Sequence, residues 1–203
     1  MICRIPFEVL EPRTFLSGSP TAPPITPAPQ PGEEMDLKHA STRSLPPIHW
    51  AKLTLQGTKK NDIVAIDVKK NKVYFTLNGT TTRYSASGLS IITVYLGNGN
   101  DAFTAGDGAN KLFIDAGAGN DTVIGGIRND TILGGKGNDS LIGGRGDDSI
   151  NPGAGQDTAY GSAGRDTLIS VDGGLDVLDG GADYDTGNMD LADVFSSVEG
   201  RTY

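Results

Sequence analysis

The chain has 203 residues, a single cysteine and a formal net charge of −8, which bounds it to one ordinary domain or a small domain with tails. Cys3 alone leaves no intramolecular disulfide, no clustered Cys/His pattern suits zinc, and no run of 18 apolar residues reads as a transmembrane segment. The acidity is uneven: Leu96 to Asn188 carry 15 Asp, no Glu and five basic residues, while residues 1–95 carry 11 basic and seven acidic. Such a half argues against nucleic acid, whose phosphates need Lys and Arg, and favours cations or cationic partners. Aspartate without glutamate narrows this further, because the shorter carboxylate suits tight turns and bonds to nearby backbone groups.

In chain order, the apolar stretches near the start are cut by Glu8, Glu11 and Arg13, so no standard secretory signal is read there. Ten of the 11 prolines lie between Pro6 and Pro47, and residues 17–47 combine Pro, Ser and Thr with few large apolar groups. Such a stretch cannot bury enough surface to offset its ordering entropy, so residues 1–47 are expected to be a disordered, proline-rich tether. A proline-rich recognition ligand is the other reading of that composition. Residues 48–95 carry strand signals: Leu53 and Leu55 alternate, and IVAIDV (63–68) and KVYFTL (72–77) follow. Asn78-Gly79 tolerates positive φ at both positions, which predicts a tight hairpin over residues 72–85. SIITVYL (90–96) then runs straight into glycine-rich sequence, so 48–95 is expected to cap the end of the domain that follows and cover a sheet edge.

From Leu96 the chain steps in nines: LGNGNDAFT and AGDGANKLF, then, after a two-residue insertion read at Ile114 and Asp115, AGAGNDTVI, GGIRNDTIL, GGKGNDSLI, GGRGDDSIN, PGAGQDTAY and GSAGRDTLI. After Ser170 come two worn units, VDGGLDVLD and GGADYDTGN. The sixth position is Asp101, Asn110, Asp121, Asp130, Asp139, Asp148, Asp157, Asp166, Asp176 and Asp185, aspartate in nine units of ten. The eighth is Phe103, Leu112, Val123, Ile132, Leu141, Ile150, Ala159, Leu168, Leu178 and Gly187, apolar until the last. One position is expected to face an ion and the other a core.

These units resemble the GGxGxDxUx nonapeptide of the RTX, or haemolysin-type, calcium-binding family over roughly residues 96–188. The resemblance implies an all-β fold, a right-handed parallel β-roll (a β-solenoid) in which six residues of each unit turn and three form a strand. Units alternate sides, so two make one coil and about five coils are expected. The chain departs from the pattern where Arg128 and Asp183 replace the fourth glycine, Ser162 and Asp172 the second, and Asn110 the aspartate.

The residue choice also has a physical logic. Glycines at the first, second and fourth positions admit positive φ and let a turn present carbonyl oxygens inward. Calcium takes six to eight oxygens at about 2.3 to 2.6 Å, so carbonyls plus a carboxylate from each of two turns suit it, and the stricter magnesium less well. The expected ligands are Asp121, Asp130, Asp139, Asp148, Asp157 and Asp166, then Asp101 and Asp176, with the turn glycines Gly117, Gly119, Gly126, Gly135, Gly137, Gly144, Gly146, Gly153 and Gly155. Alternation would stack Asp101, Asp121, Asp139, Asp157 and Asp176 on one edge and Asn110, Asp130, Asp148, Asp166 and Asp185 on the other. Parallel strands lie about 4.8 Å apart, where bare carboxylates repel by roughly 1 to 3.5 kcal/mol per pair. A repeat tract largely unfolded without calcium is therefore expected, with ion binding driving folding. Aspartates that merely satisfy turn backbone are the plainer reading, but Asn would serve that purpose equally well.

Calcium modules of this kind commonly work at about 0.1 to 1 mM, which points outside the cell or to its surface. FEVLEPRTFLSG (7–18) adds to this: it resembles the Leu-Glu-Pro-Arg-x-Leu-Leu-type segment that begins some large bacterial surface or secreted proteins, with Phe15 where leucine is usual. His39 and His49 have no HExxH spacing, and neither a G-x-S-x-G elbow nor a GxGxxG loop occurs, so no enzyme is expected. DLADVFSSVEG (190–200) places Leu191, Val194, Phe195 and Val198 to pack over the last coil, so 189–203 is read as a cap. The function expected is calcium binding coupled to folding of a secreted or cell-surface protein. The other reading is a structural or adhesive module for which calcium is incidental and an unidentified surface or matrix partner is the target.

Overall fold

The computed structural model describes residues 52–202. The proline-rich segment 1–47, with the Leu-Glu-Pro-Arg motif inside it, lies outside the described residues. Strands follow one another with no intervening helix among the described residues: β1 (Lys52–Gln56), β2 (Ile63–Lys69), β3 (Lys72–Leu77), β4 (Thr80–Ser85), β5 (Ile91–Asn98), β6 (Ala102–Ala105), β7 (Lys111–Ala118), β8 (Thr122–Ile124) and β9 (Thr131–Lys136). They continue as β10 (Ser140–Arg145), β11 (Ser149–Ala154), β12 (Thr158–Ala163), β13 (Thr167–Ser170), β14 (Val177–Ala182), β15 (Thr186–Met189), β16 (Val194–Ser196) and β17 (Gly200–Thr202). No helix among them is long and apolar enough to cross a membrane.

The chain alternates between two sheets. One has the order β1-β5-β7-β9-β11-β13-β15-β17 and the other β16-β14-β12-β10-β8-β6-β2-β3-β4. Pairing along the solenoid is parallel, and only β2–β3 and β3–β4 are antiparallel. The fold is thus an all-β parallel solenoid of about six turns with a small antiparallel hairpin region. The excess over the expected five coils arises outside the nonapeptides: β1 and β2 form a coil before them, and β16 and β17 continue both sheets after them. The β3–β4 hairpin turns at Asn78 (φ 49°) and Gly79 (φ 81°), the paired positive values its sequence demands. Lys70 (φ 50°) and Asn71 (φ 60°) make a second turn of the same kind between β2 and β3.

A narrow core runs between the sheets. In the repeats it is carried by one inward apolar side chain per strand, Val123, Ile132, Leu141, Ile150, Ala159, Leu168 and Leu178, all fully buried, with Pro152 and Ser170 added beside it in β11 and β13. Strand alternation puts residues two apart on one face, so positions seven and nine face out. At Gly187, where the series lacks a side chain, Met189 fills the space. The same period corrects the expectation for the C-terminal segment. Phe195 packs against the core and Val198 is buried, but Leu191 (90% exposed), in a turn, and Val194 (57%), on the outer side of the strand that holds Phe195, point to solvent.

Register also relocates the two-residue insertion. Val94 pairs with Ile114, and Ile114 with Ile132, so Ile114 and Asp115 occupy regular strand positions and the extra residues lie in the turn before Lys111. Leu112 consequently stands where the sixth-position aspartate belongs. Asn110, expected in that stack, instead donates its side-chain amide to the carbonyl of Leu89 at 2.9 Å.

Glycines at two repeat positions let the turns stack. Gly135 (φ 111°) and Gly137 (φ 124°) lie in the left-handed region, and a Cβ on either would overlap the carbonyl of Gly117 or Gly119 one coil earlier. First-position glycines, also expected at positive φ, do not adopt it. A Cβ on Gly134 would instead strike Oδ2 of Asp139 in its own turn and the carbonyl of Pro152. Gly126 departs too, lacking positive φ and having no neighbour nearer than 3.6 Å to a built Cβ. Gly137→Ala is therefore expected to destabilise the calcium-loaded chain by at least about 1–2 kcal/mol, whereas Gly126→Ala stays within about 0.5 kcal/mol of the parent, as measured by urea denaturation in calcium.

Candidate metal centre

Each coil crosses between sheets twice, giving the solenoid two edges. The first holds the turns that enter the nine-stranded sheet, and the second those that return to the eight-stranded one. On the first edge, the backbone N–H of Asp101 donates to Oδ1 of Asp121 (2.7 Å), Asp121 to Asp139 (2.8 Å), Asp139 to Asp157 (2.7 Å) and Asp157 to Asp176 (2.8 Å). On the second, Asp130 donates to Asp148 (2.7 Å), Asp148 to Asp166 (2.8 Å) and Asp166 to Asp185 (2.7 Å). The two stacks expected from sequence are thus two hydrogen-bonded ladders, with Leu112 rather than Asn110 at the head of the second: its N–H donates to Oδ1 of Asp130 at 2.8 Å.

Three rungs were not identified from the repeat. Asp62 heads the first ladder, donating its N–H to Asp101 at 2.7 Å, and Asp193 extends it, accepting from Asp176 at 3.2 Å. Glu199 ends the second, accepting from the N–H of Asp185 at 2.8 Å. A signal for two of them existed: Asn61-Asp62-Ile63-Val64 and Asp193-Val194-Phe195 each keep the spacing of aspartate and apolar residue without the glycines. Glu199 has no such signal. A neutral ladder accompanies the first edge, in which Oδ1 of Asn61, Asn100, Asn120 and Asn138 accepts the N–H of the residue one coil later at 2.9–3.0 Å.

The ladder bonds use one carboxylate oxygen. Oδ2 of Asp101, Asp121, Asp139, Asp157, Asp148, Asp166 and Asp185 is buried without a hydrogen-bond partner, an arrangement that costs about 1–3 kcal/mol per group, more when charged. Two sequence-predicted ligands differ: Oδ2 of Asp130 accepts the N–H of Gly126 at 2.9 Å, and that of Asp176 accepts the hydroxyl of Ser170. No turn contributes more than one such carboxylate, and no three acidic, His or Cys side chains converge on a point among the described residues. A cation held here takes carboxylates from two levels and completes its shell with backbone oxygens, which is the chemistry of calcium. The repeated orphan oxygen fits a cation at these turns.

Electrostatics agree. Burial pushes the carboxyls of Asp101, Asp139 and Asp166 up to about 6, only partly opposed by the ladder bonds and reinforced by neighbouring carboxylates. Asp148, with Asp130, Asp166 and Asp147 around it, is raised to about 8, again chiefly by burial. Asp121, Asp130, Asp157 and Asp185 shift the same way for the same first cause. Metal-free, these groups resist carrying their charge together.

An acidic parallel β-solenoid with a ladder of buried aspartates along each edge defines the class of protein. The model of the RTX calcium-binding nonapeptide repeat (4 copies) matches residues 93–112, 115–150, 124–159, 142–173 and 153–186, and the chain carries RTX calcium-binding repeats over this stretch. No curated protein and no solved structure matches the chain.

The raised carboxyls set the sign of a pH effect. Metal-free, the folded chain binds more protons than the unfolded chain between pH about 4 and about 8, so its stability falls as pH rises through that window. Chelator-stripped protein is expected to show its greatest residual β signal by circular dichroism near the acid end of that window and its least near pH 8. Saturating calcium is expected to abolish that decline, because ions then take the place of protons.

Proposed function

We propose that the two ladders bind calcium ions between successive turns and that this binding drives folding of the repeat tract, in a non-enzymatic protein that works outside the cell or at its surface. The observation that carries this reading is the recurrence of one buried, unpartnered Oδ2 per turn at Asp101, Asp121, Asp139 and Asp157 on the first edge and Asp148, Asp166 and Asp185 on the second. Asparagine would make the same Oδ1 ladder bond without the charge, so nine aspartates in ten units answer a need for charge. Asp130 and Asp176 sit in register in the same ladders, but Gly126 and Ser170 already occupy their second oxygens, so ion binding there would have to displace those bonds. The turn glycines admit the close stacking that brings two carboxylates to one ion, and their carbonyls supply further oxygens.

Calcium supplies two positive charges at each level, converting carboxylate repulsion into bridging. The chain's own residues do the rest: glycines set the turn, ladder bonds fix each carboxylate, and the apolar eighth position anchors the strand. A site built largely by folding binds weakly when the chain must be ordered first, which matches a compartment with about 0.1 to 1 mM calcium. That is the physical ground for placing the protein outside the cell.

Far-ultraviolet circular dichroism of the chelated chain titrated with calcium, against a magnesium control, tests the reading. A cooperative gain of β signal with calcium alone is expected, and Asp139→Asn, central in its ladder, is expected to shift that transition to higher calcium. A chain already fully folded in chelator and indifferent to calcium would contradict it and favour a structural or adhesive module.

A further inference from the structure

The ladder on the first edge begins at a carboxylate unlike those that follow. Asp62 is buried, yet neither of its oxygens is orphaned. Oδ2 accepts the N–H of Thr58 at 2.5 Å, and Oδ1 accepts the Thr58 hydroxyl at 3.0 Å and the side-chain amide of Asn78 at 2.7 Å. Charge-assisted bonds of this kind are the strong ones, and three of them satisfy both oxygens of this carboxylate from within the chain. Asn78 belongs to the β3–β4 turn and is bolted to the same level by two more bonds: its Oδ1 accepts the N–H of Ile63 at 2.8 Å, and its own N–H donates to the carbonyl of Ile63 at 2.9 Å.

Two further features set this end apart. On the second edge the head of the ladder is Leu112, so no carboxylate pair exists at that level. The core is also denser here: eight of the 22 buried apolar side chains, Phe75 among them, lie within residues 52–98, against nine in the much longer stretch from Val123 to Val198. Residues 52–98 thus combine hydrophobic burial and internal hydrogen bonds with no unpartnered aspartate oxygen, the first of which belongs to Asp101.

We propose that β1–β5, residues 52–98, keep their fold without calcium, with Thr58 and Asn78 doing for Asp62 what an ion does for later rungs, and that this unit is the template onto which the calcium-dependent coils wind. The proposal rests on the calcium reading for the later coils and adds that Asp62, although in the ladder, holds no ion. A template of this kind presents β5, with the backbone groups of β2, as ready-made edges for β7 and β6, so ion binding extends an existing solenoid rather than nucleating one. Nucleation, the costly step in ordering a repeat array, is then independent of calcium.

Hydrogen exchange of the full chain read by mass spectrometry tests this in chelator and in calcium. Peptides from 52–98 are expected to stay protected in chelator while those from 116–189 exchange as an unfolded chain does, and both are protected in calcium. Asn78→Gly, which keeps the positive φ and removes the amide, is expected to speed exchange of 52–98 in chelator by about tenfold or more. Calcium stoichiometry by calorimetry supplies the second arm: Asp62→Asn binds as many ions as the parent, while Asp121→Asn binds fewer. Loss of protection over 52–98 in chelator, or an ion lost with Asp62→Asn, would overturn the template. If Asp121→Asn also lost none and 116–189 stayed protected in chelator, the calcium reading itself would fall, and the template with it.

Discussion

A buried, unpaired aspartate oxygen that recurs in seven turns is the constraint around which the remainder of this solenoid is arranged. The Oδ1 atoms are committed to ladder bonds of 2.7–2.8 Å along both edges, which align the carboxylates in register from coil to coil and leave second oxygens buried without a partner in seven of them. Alignment concentrates like charge in a place water does not reach. A divalent cation would resolve that conflict, and protonation also relieves it, as the raised carboxyls of Asp139 and Asp148 indicate.

The rest of the repeat serves close approach of the turns. At most second and fourth positions, Gly135 and Gly137 among them, glycine is required by two independent facts, a positive φ and the carbonyl of the preceding coil where a side chain would begin, whereas Gly126 meets neither. Ser162 (φ 86°) and Asp183 (φ 83°) take positive φ in those same slots, so the turn geometry prevails over the residue that occupies it. The core is thin in the repeats, with one or two inward side chains per strand. On the calcium proposal, stability passes from hydrophobic burial near Phe75 to ion bridging from Asp101 onward, where the unpartnered carboxylates begin.

Much of this was legible in the nine-residue period, because each position has one physical task and meets it with few residue types. The eighth-position core, the Asn78-Gly79 turn and the two aspartate stacks all follow from local chemistry. What was not legible depended on register between coils. The interruption after Ala105 reads equally well with Asn110 or Leu112 in the ladder, and only the pairing of Ile114 with Val94 and Ile132 decides it. Asp62 lies 39 residues before Asp101, behind a hairpin that hides the period, and Glu199 enters its ladder by position alone. The spacing of Leu191 and Val194 from Phe195 and Val198 suggests a shared inner face, but Leu191 lies in a turn and Val194 on the outer side of a short strand, so both meet solvent.

Anomalous diffraction from crystals grown in calcium would test the central claim most directly. The account predicts a row of peaks along each edge between successive turns, within about 2.3–2.6 Å of Oδ2 of Asp121, Asp139, Asp148 and Asp166, and none at Asp62. Ordered ladders with those Oδ2 atoms bare, or bonded only to water, in calcium-soaked crystals would contradict it.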